Sequence, residues 1–93
     1  MGLQTVELVM DVEDEFGIHF ADADVQEILT VGQLHDLTLS SIRAEGSSAL
    51  EARRDLEAFV WKHLCEACAA LASGVKPYQI SRETRFIEDL GYG

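Results

Sequence analysis

The apolar residues of this chain recur at spacings of three and four, and this spacing limits the fold more than any other feature. The longest such seam consists of Leu56, Val60, Leu64, Ala67 and Leu71, and it is widened by Phe59 and Cys68. Side chains at these spacings share one face of an α-helix. No segment alternates apolar and polar residues as a half-buried strand does. The sequence therefore predicts an all-α domain.

A second seam predicts an amphipathic helix from Thr5 to Phe16. Its apolar side is predicted to consist of Val6, Val9, Val12 and Phe16. The opposite side carries acids, which are Glu7, Asp11, Asp14 and Glu15. Gly17 is predicted to end this helix, because glycine readily adopts the left-handed conformation found at helix ends.

Two short helices are expected next. Asp22 or Asp24 would cap one that runs to Leu29, and Thr30 would cap the other, because such side chains accept hydrogen bonds from the free N–H groups of a first helical turn. The apolar side of the second is predicted to be Val31, Leu34 and Leu37. Residues 1–42 would thus hold the acidic helix and the short helices after it.

Residues 43–48 are small and polar and are predicted to form a linker, with Ser47 or Ser48 capping the element that follows. The long helix then runs to Ala72, before the stop signals Gly74 and Pro77. Residues 75–93 are predicted to be an extended loop. Its inward side chains would be Ile80, Phe86, Ile87 and Leu90. The 93 residues are expected to form a single domain, 1–93, whose second part, 49–93, holds the long helix and this loop.

The net charge of −10 is unevenly distributed along the chain. Residues 1–42 contain nine acids and no Lys or Arg, whereas residues 43–93 contain eight acids and seven bases. Such a surface repels phosphate backbones and attracts basic protein patches, so a nucleic-acid partner is not expected. No apolar stretch is long enough to span a membrane, and the amino terminus lacks the pattern of a signal peptide. A cytoplasmic location is therefore expected.

Two cysteines three residues apart, Cys65 and Cys68, raise the question of a metal or redox site beside His63. A closed zinc site needs four ligands, and the chain has no second pair, so the cysteines are interpreted as small core residues. His19 and His35 stand at no recognisable spacing from a nucleophile. No catalytic group and no metal site are predicted, and the protein is not expected to be an enzyme.

Two blocks of the sequence resemble the acyl carrier protein family. Residues 5–18, TVELVMDVEDEFGI, are similar to the family's second helix, which partner enzymes recognise. Residues 74–91, which end in Phe-Ile-Glu-Asp-Leu-Gly, are similar to the long loop that leads into that helix. With the long helix before Gly74, the resemblance covers nearly the whole chain outside the linker. It implies a small bundle of three to four helices.

The order of the two blocks is reversed relative to the family, in which the long helix and the loop come first. The resemblance therefore implies a circularly permuted or domain-swapped bundle, in which residues 43–48 join the former ends. The family's serine, which carries 4'-phosphopantetheine, would fall at the junction of Gly93 and Met1. Gly2 fills the serine slot and Leu3 matches the leucine after it, so no cofactor is expected on this chain as written.

The resemblance also implies two sets of site residues. Basic-surfaced acyl-transfer or acyl-processing enzymes would dock on the acidic helix, at Leu3, Glu7, Met10, Asp11, Glu13 and Asp14. An acyl chain would be sheltered by Leu8, Phe16, Phe20, Ile28 and Leu37. The plain alternatives are a solvated helix face for the first set and a packed core for the second.

Three functional hypotheses follow. The first is an acyl-carrier-like module of fatty-acid or polyketide-type metabolism that docks partners but does not carry phosphopantetheine. The second is a rearranged or excised form of a genuine carrier whose parent has the serine. The third is a structural or regulatory module that uses the fold for dimerisation, as a homodimer formed by domain swapping.

Overall fold

A computed structural model describes residues 3 to 92 of the chain as a small helical bundle. The five α-helices are α1 (Leu3–Phe16), α2 (Asp22–Glu27), α3 (Val31–Glu45), α4 (Ser48–Glu51) and α5 (Leu56–Leu71). A 3-10 helix spans Pro77–Gln79. Residues 3 to 92 contain no strand, and their one β-type contact is an isolated bridge between Thr30 and Arg85. The all-α prediction is confirmed.

Helix α5 is the centre of the bundle, since it packs against α1, α3 and the 3-10 helix. Its predicted seam is confirmed by the complete burial of Val60 and Leu64. Burying a side chain of this size stabilises a fold by about 2 kcal/mol, so the seam is a principal source of stability. Over residues 3 to 92, no helix combines the length and the apolar character needed to cross a bilayer.

The buried stripe of α1 differs by one position from its prediction. It consists of Thr5, Leu8, Val9, Val12 and Phe16. Val6, predicted to face inward, is 41% exposed, and the prediction for this residue is wrong. Thr5 takes the inward place because it lies three and four residues before Leu8 and Val9, whereas Val6 is rotated about 100° from Thr5. Gly17 ends the helix with a positive φ of 64°, as predicted.

Thr30 caps α3 as predicted. Its side-chain oxygen accepts a hydrogen bond from the Gln33 amide at 3.2 Å, and the Gln33 side chain accepts one from the Thr30 amide at 3.1 Å. This reciprocal pair satisfies two backbone donors at the start of the helix. The start of α3 is therefore fixed by residues next to one another in the sequence.

The predicted linker is mostly helical. Residues 43–45 complete α3, and Gly46 is the C-cap, whose amide donates to the carbonyl of Ile42 at 2.8 Å. Arg, Ala and Glu are good helix formers, which explains why α3 continues through them. Ser47 caps the single turn α4, not the long helix, and its hydroxyl accepts from the Leu50 amide at 3.1 Å. Helix α5 begins only at Leu56.

The carboxyl-terminal segment is folded into turns, not extended as predicted. Ile80, Phe86 and Leu90 are buried, which confirms three of the four predicted inward side chains. Ile87 is 64% exposed, and the prediction for it is wrong. The amide of Asp89 donates to the carbonyl of Arg85 at 3.0 Å, and this helix-like turn puts positions 86 and 90 on one side and position 87 on the other.

Residues 81–86, which we call the strap, lie across the start of α3. The amides of Val31 and Gly32 donate to the carbonyl oxygens of Thr84 and Arg82, at 2.9 Å and 3.0 Å. A Cβ atom at Gly32 would lie 2.7 Å from the Arg82 carbonyl oxygen, so only glycine permits this approach. The strap thereby satisfies two N–H groups of the first turn of α3 that have no partner within the helix.

Candidate docking face and neighbouring sites

The exposed side of α1 carries apolar and acidic side chains together. We call it the α1 face, and it consists of Leu3, Val6, Glu7, Met10 and Asp14. Leu3, Val6 and Met10 are 69%, 41% and 57% exposed, so three apolar side chains share one exposed side of the helix. At 100° per residue the five positions cover about 100° of the helix surface, directly opposite the buried stripe.

Two of the six residues predicted to bind a partner make contacts within the chain instead of pointing freely outward. Asp11 lies 2.8 Å from Nε2 of His63, which joins α1 to α5. Glu13 accepts a hydrogen bond from the Phe20 amide at 2.7 Å and lies 3.2 Å from Nδ1 of His19. The other four, Leu3, Glu7, Met10 and Asp14, lie together on the α1 face.

The acids of α1 have no Lys or Arg partner among residues 3 to 92. The arginine ion pairs of these residues lie elsewhere, and they are Arg43–Glu57, Arg53–Asp55, Arg82–Asp36 and Arg85–Asp89. The negative charge of Glu7 and Asp14 is therefore left to solvent and to any cationic surface that approaches. Exposed charge of one sign raises the rate at which oppositely charged partners associate.

The residues predicted to line an acyl cleft are divided between the core and the surface. Leu8, Phe16 and Phe20 are buried in the hydrophobic core. Ile28 and Leu37 are half-buried and border a small polar recess shared with Gln33. The five residues are therefore not gathered around one cavity.

An apolar cavity of about 320 Å³ lies between α1, the end of α2 and residues 85–88, where the strap ends. Its apolar side chains include Val25, Ile28, Leu29, Phe86 and Ile87. Of the predicted cleft residues, Ile28 alone belongs to it. Phe86 and Ile87 are not among the predicted cleft residues, because no helical periodicity marks the segment that holds them.

Residues from the start of α1 and from the carboxyl-terminal segment border one recess. Gln4 and Gly91 border the same recess, of about 400 Å³, beside Leu71. Tyr92 follows Gly91 in the sequence, and its hydroxyl donates a hydrogen bond to the carbonyl oxygen of Cys68 at 2.7 Å. Tyr92 is fully buried although the sequence assigned it no role. Gly2, at the predicted serine slot, lies outside the described residues, as do Met1 and Gly93.

Cys65 and Cys68 are buried free thiols on α5. Burial, with a contribution from Cys65, raises the pKa of Cys68 to about 12. Burial and the Glu66 carboxylate also raise the pKa of Cys65. Since the thiolate is the form that binds metals and attacks electrophiles, both positions suit core packing. Among the residues described, no three His, Cys, Asp or Glu side chains group closely enough to hold a metal ion.

His35 lies at the contact of α3, α5 and the strap and is 7% exposed. Its Nε2 is 3.0 Å from the carbonyl oxygen of Glu57, and its Nδ1 is 3.3 Å from Nη1 of Arg82. The ring also meets the edge of Trp61, with 5.3 Å between centroids. The other guanidinium nitrogen of Arg82 donates to Asp36 at 2.8 Å. No sequence pattern joins His35 to Arg82, which is 47 positions away.

Comparison with protein-family models and with solved structures finds no match to this chain.

Proposed function

We propose that this protein is an acyl-carrier-like docking module, which presents the α1 face to basic-surfaced acyl-transfer or acyl-processing enzymes. It acts by binding and has no catalytic step of its own. The observation that carries the proposal is the pairing of exposed Leu3 and Met10 with Glu7 and Asp14 on one helix face. Apolar anchors surrounded by charge are a common composition for a protein interface.

The charge distribution supports a basic partner. Glu7 and Asp14 have no cationic partner within residues 3 to 92, so a partner that supplies Lys or Arg displaces no existing ion pair from them. Leu3 and Met10 offer apolar area to a partner, and the flexible methionine side chain adapts to pockets of differing shape. The α1 face therefore fits a groove with an apolar floor and a basic rim.

The position of the chain ends supports the resemblance to a permuted carrier. Gln4 and Gly91 border one recess, as expected when the two blocks are joined in the family's order at this point. The cavity bordered by Ile28 and Phe86 opens nearby, since Thr5 also lines it. In the proposed module this cavity would shelter an apolar group delivered by the partner enzyme.

Docking is tested by titrating the protein into purified acyl-transfer enzymes that carry basic surface patches, with Kd measured by calorimetry at low and physiological salt. We expect binding that weakens with salt, because exposed charges are screened. The variant Glu7→Lys/Asp14→Lys should weaken binding by at least about tenfold, which is 1.4 kcal/mol. Met10→Ala should weaken it by a similar factor without changing the salt dependence.

The matched control is Glu66→Lys/Glu83→Lys, which changes the net charge by the same amount at exposed positions outside α1. Equal losses for the two charge-reversal variants would show that net charge, not the α1 face, governs binding. Absence of binding to every enzyme of this class would reject the proposal.

Carriage of the prosthetic group is tested separately. The protein is incubated with coenzyme A and a phosphopantetheinyl transferase, and its intact mass is measured. We expect no gain, because Gly2 has no hydroxyl for the phosphodiester. A gain of one phosphopantetheine would instead favour an ordinary carrier that uses another serine. If the Gly2→Ser variant is modified and the unmodified protein is not, the result would support the alignment that puts Gly2 at the family's serine position.

A further inference from the structure

A buried histidine connects the strap to the two longest helices. His35 on α3 accepts or donates on both ring nitrogens, toward Glu57 of α5 on one side and Arg82 of the strap on the other. Trp61 of α5 covers the edge of the ring. His35 is 7% exposed whereas the Arg82 side chain is 52% exposed, so solvent reaches the guanidinium but hardly reaches the ring.

The partners determine which nitrogen carries the proton. The Glu57 carbonyl oxygen can only accept, so Nε2 must be the donor. The Arg82 guanidinium can only donate, so Nδ1 must have a free lone pair. The arrangement therefore requires a neutral imidazole with its hydrogen on Nε2, and a second proton would convert the Arg82 contact from a hydrogen bond into a repulsion between two cations.

The charged groups around the ring do not remove this conflict. From the strap, Arg82 faces Nδ1 directly. From α3, Asp36 already accepts from the second guanidinium nitrogen of Arg82 at 2.8 Å. From α5, Glu57 offers its backbone oxygen to the ring, and its carboxylate lies 4.0 Å from Arg43. The approach of Arg82 to His35 is thus the contact that protonation opposes.

We propose that His35 is a proton-sensitive latch, whose protonation releases Arg82 and loosens the strap from the start of α3. The strap ends at Phe86, and Phe86 and Ile87 line the apolar cavity. Loss of the Arg82 contact weakens the neighbouring backbone hydrogen bonds from Gly32 and Val31, which hold the same segment. Acidification therefore loosens one wall of the cavity while the α1–α5 core stays folded.

Trp61 reports the protonation of His35 directly, because it is the single tryptophan of the chain and it contacts the ring. Its fluorescence is followed as the pH is lowered from about 8 to about 4. We expect one sigmoidal step in the unmodified protein. The step should be absent in His35→Gln, whose amide retains a donor for Glu57 but does not titrate, and present in His63→Gln and His19→Gln. The absence of a step in the unmodified protein, or a step that persists in His35→Gln, would overturn the assignment.

Release of the strap is measured by amide hydrogen exchange in the unmodified protein. The protection of the Gly32 and Val31 amides, corrected for the intrinsic pH dependence, should fall by about fivefold across the same step, the equivalent of one hydrogen bond. The amide of Leu39, in the middle of α3, is the internal control and should not change. Arg82→Gln should show the lower protection at every pH. A fluorescence step with constant protection of Gly32 would overturn the latch.

Discussion

The hydroxyl of Tyr92 donates a hydrogen bond to the backbone carbonyl oxygen of Cys68 across 2.7 Å, which ties the last described residue to the central helix. The ring of Tyr92 also stacks on Phe86, with 5.9 Å between centroids. Its amide donates to the Phe86 carbonyl at 3.0 Å. The end of the chain is therefore a packed part of the core.

Removing the Tyr92 hydroxyl should destabilise the fold without changing its shape. Tyr92→Phe keeps the ring and its packing but leaves the Cys68 carbonyl without this donor. We expect the free energy of unfolding, measured with urea, to fall by about 1 kcal/mol. Tyr78→Phe is the matched control, since Tyr78 is 84% exposed, and it should have no measurable effect. Equal effects of the two changes would contradict the structure.

The protein should lose stability at alkaline pH. Burial raises the pKa of Cys68 from 9.0 to about 12, and burial also raises the pKa of Tyr92. Both groups are neutral when protonated, so the native state keeps these protons to a higher pH than the unfolded chain. Unfolding therefore releases protons above about pH 9, and the free energy of unfolding falls as the pH rises.

The contribution of Cys68 is isolated by comparing how steeply the free energy of unfolding falls with pH in the unmodified protein and in Cys68→Ala. The slope is compared, not the stability itself, because Cys68→Ala also leaves a cavity that lowers stability at every pH. Urea unfolding is measured at about pH 8, 9, 10 and 11, and the slope for the unmodified protein should exceed that for Cys68→Ala by about 1 kcal/mol per pH unit above pH 9. Parallel slopes would show that Cys68 ionises equally in both states.

Gly32→Ala should destabilise the protein although alanine is the better helix former. The new Cβ would lie 2.7 Å from the carbonyl oxygen and 2.9 Å from the Cβ of Arg82, so the strap must move away. We expect a net loss of about 1 to 3 kcal/mol in thermal or urea unfolding. Ser40→Ala, at an exposed position of α3, is the control and should change stability by less than about 0.5 kcal/mol. A stabilised Gly32→Ala protein would refute this approach of strap and helix.

The sequence predicts those features that depend on neighbouring residues. The seam of α5, the cap at Thr30 and the stop at Gly17 each follow from residues within one or two turns, and all three are confirmed. Thr5 shows the limit of this reasoning, because threonine is mostly exposed in proteins and its polarity gives no sign that it is buried here. The apolar pattern therefore places Val6, its more apolar neighbour, on the wrong side of the helix.

The features that the sequence did not predict depend on the path of the chain. His35 and Arg82 meet only because residues 81–86 cross the start of α3, and no spacing in the sequence encodes that crossing. Ile87 points outward because the turn after Arg85 is helix-like. The extended loop predicted for residues 75–93 gives no reason to place Ile87 on a different side from Phe86. The α1 face could be predicted in part, since Glu7, Met10 and Asp14 lie opposite the buried stripe.

The closeness of Gln4 to Gly91 also determines how the molecule responds to mechanical force. A pull between Gln4 and Gly91, which border one recess, loads α1 and the segment around Tyr92 first, so these two parts separate one contact at a time. The hydrogen bond to Cys68 is among the first contacts to be loaded, and the buried seam of α5 is loaded only later. Under tension this bundle should therefore unzip from its ends, at forces well below those that shear helices loaded along their length.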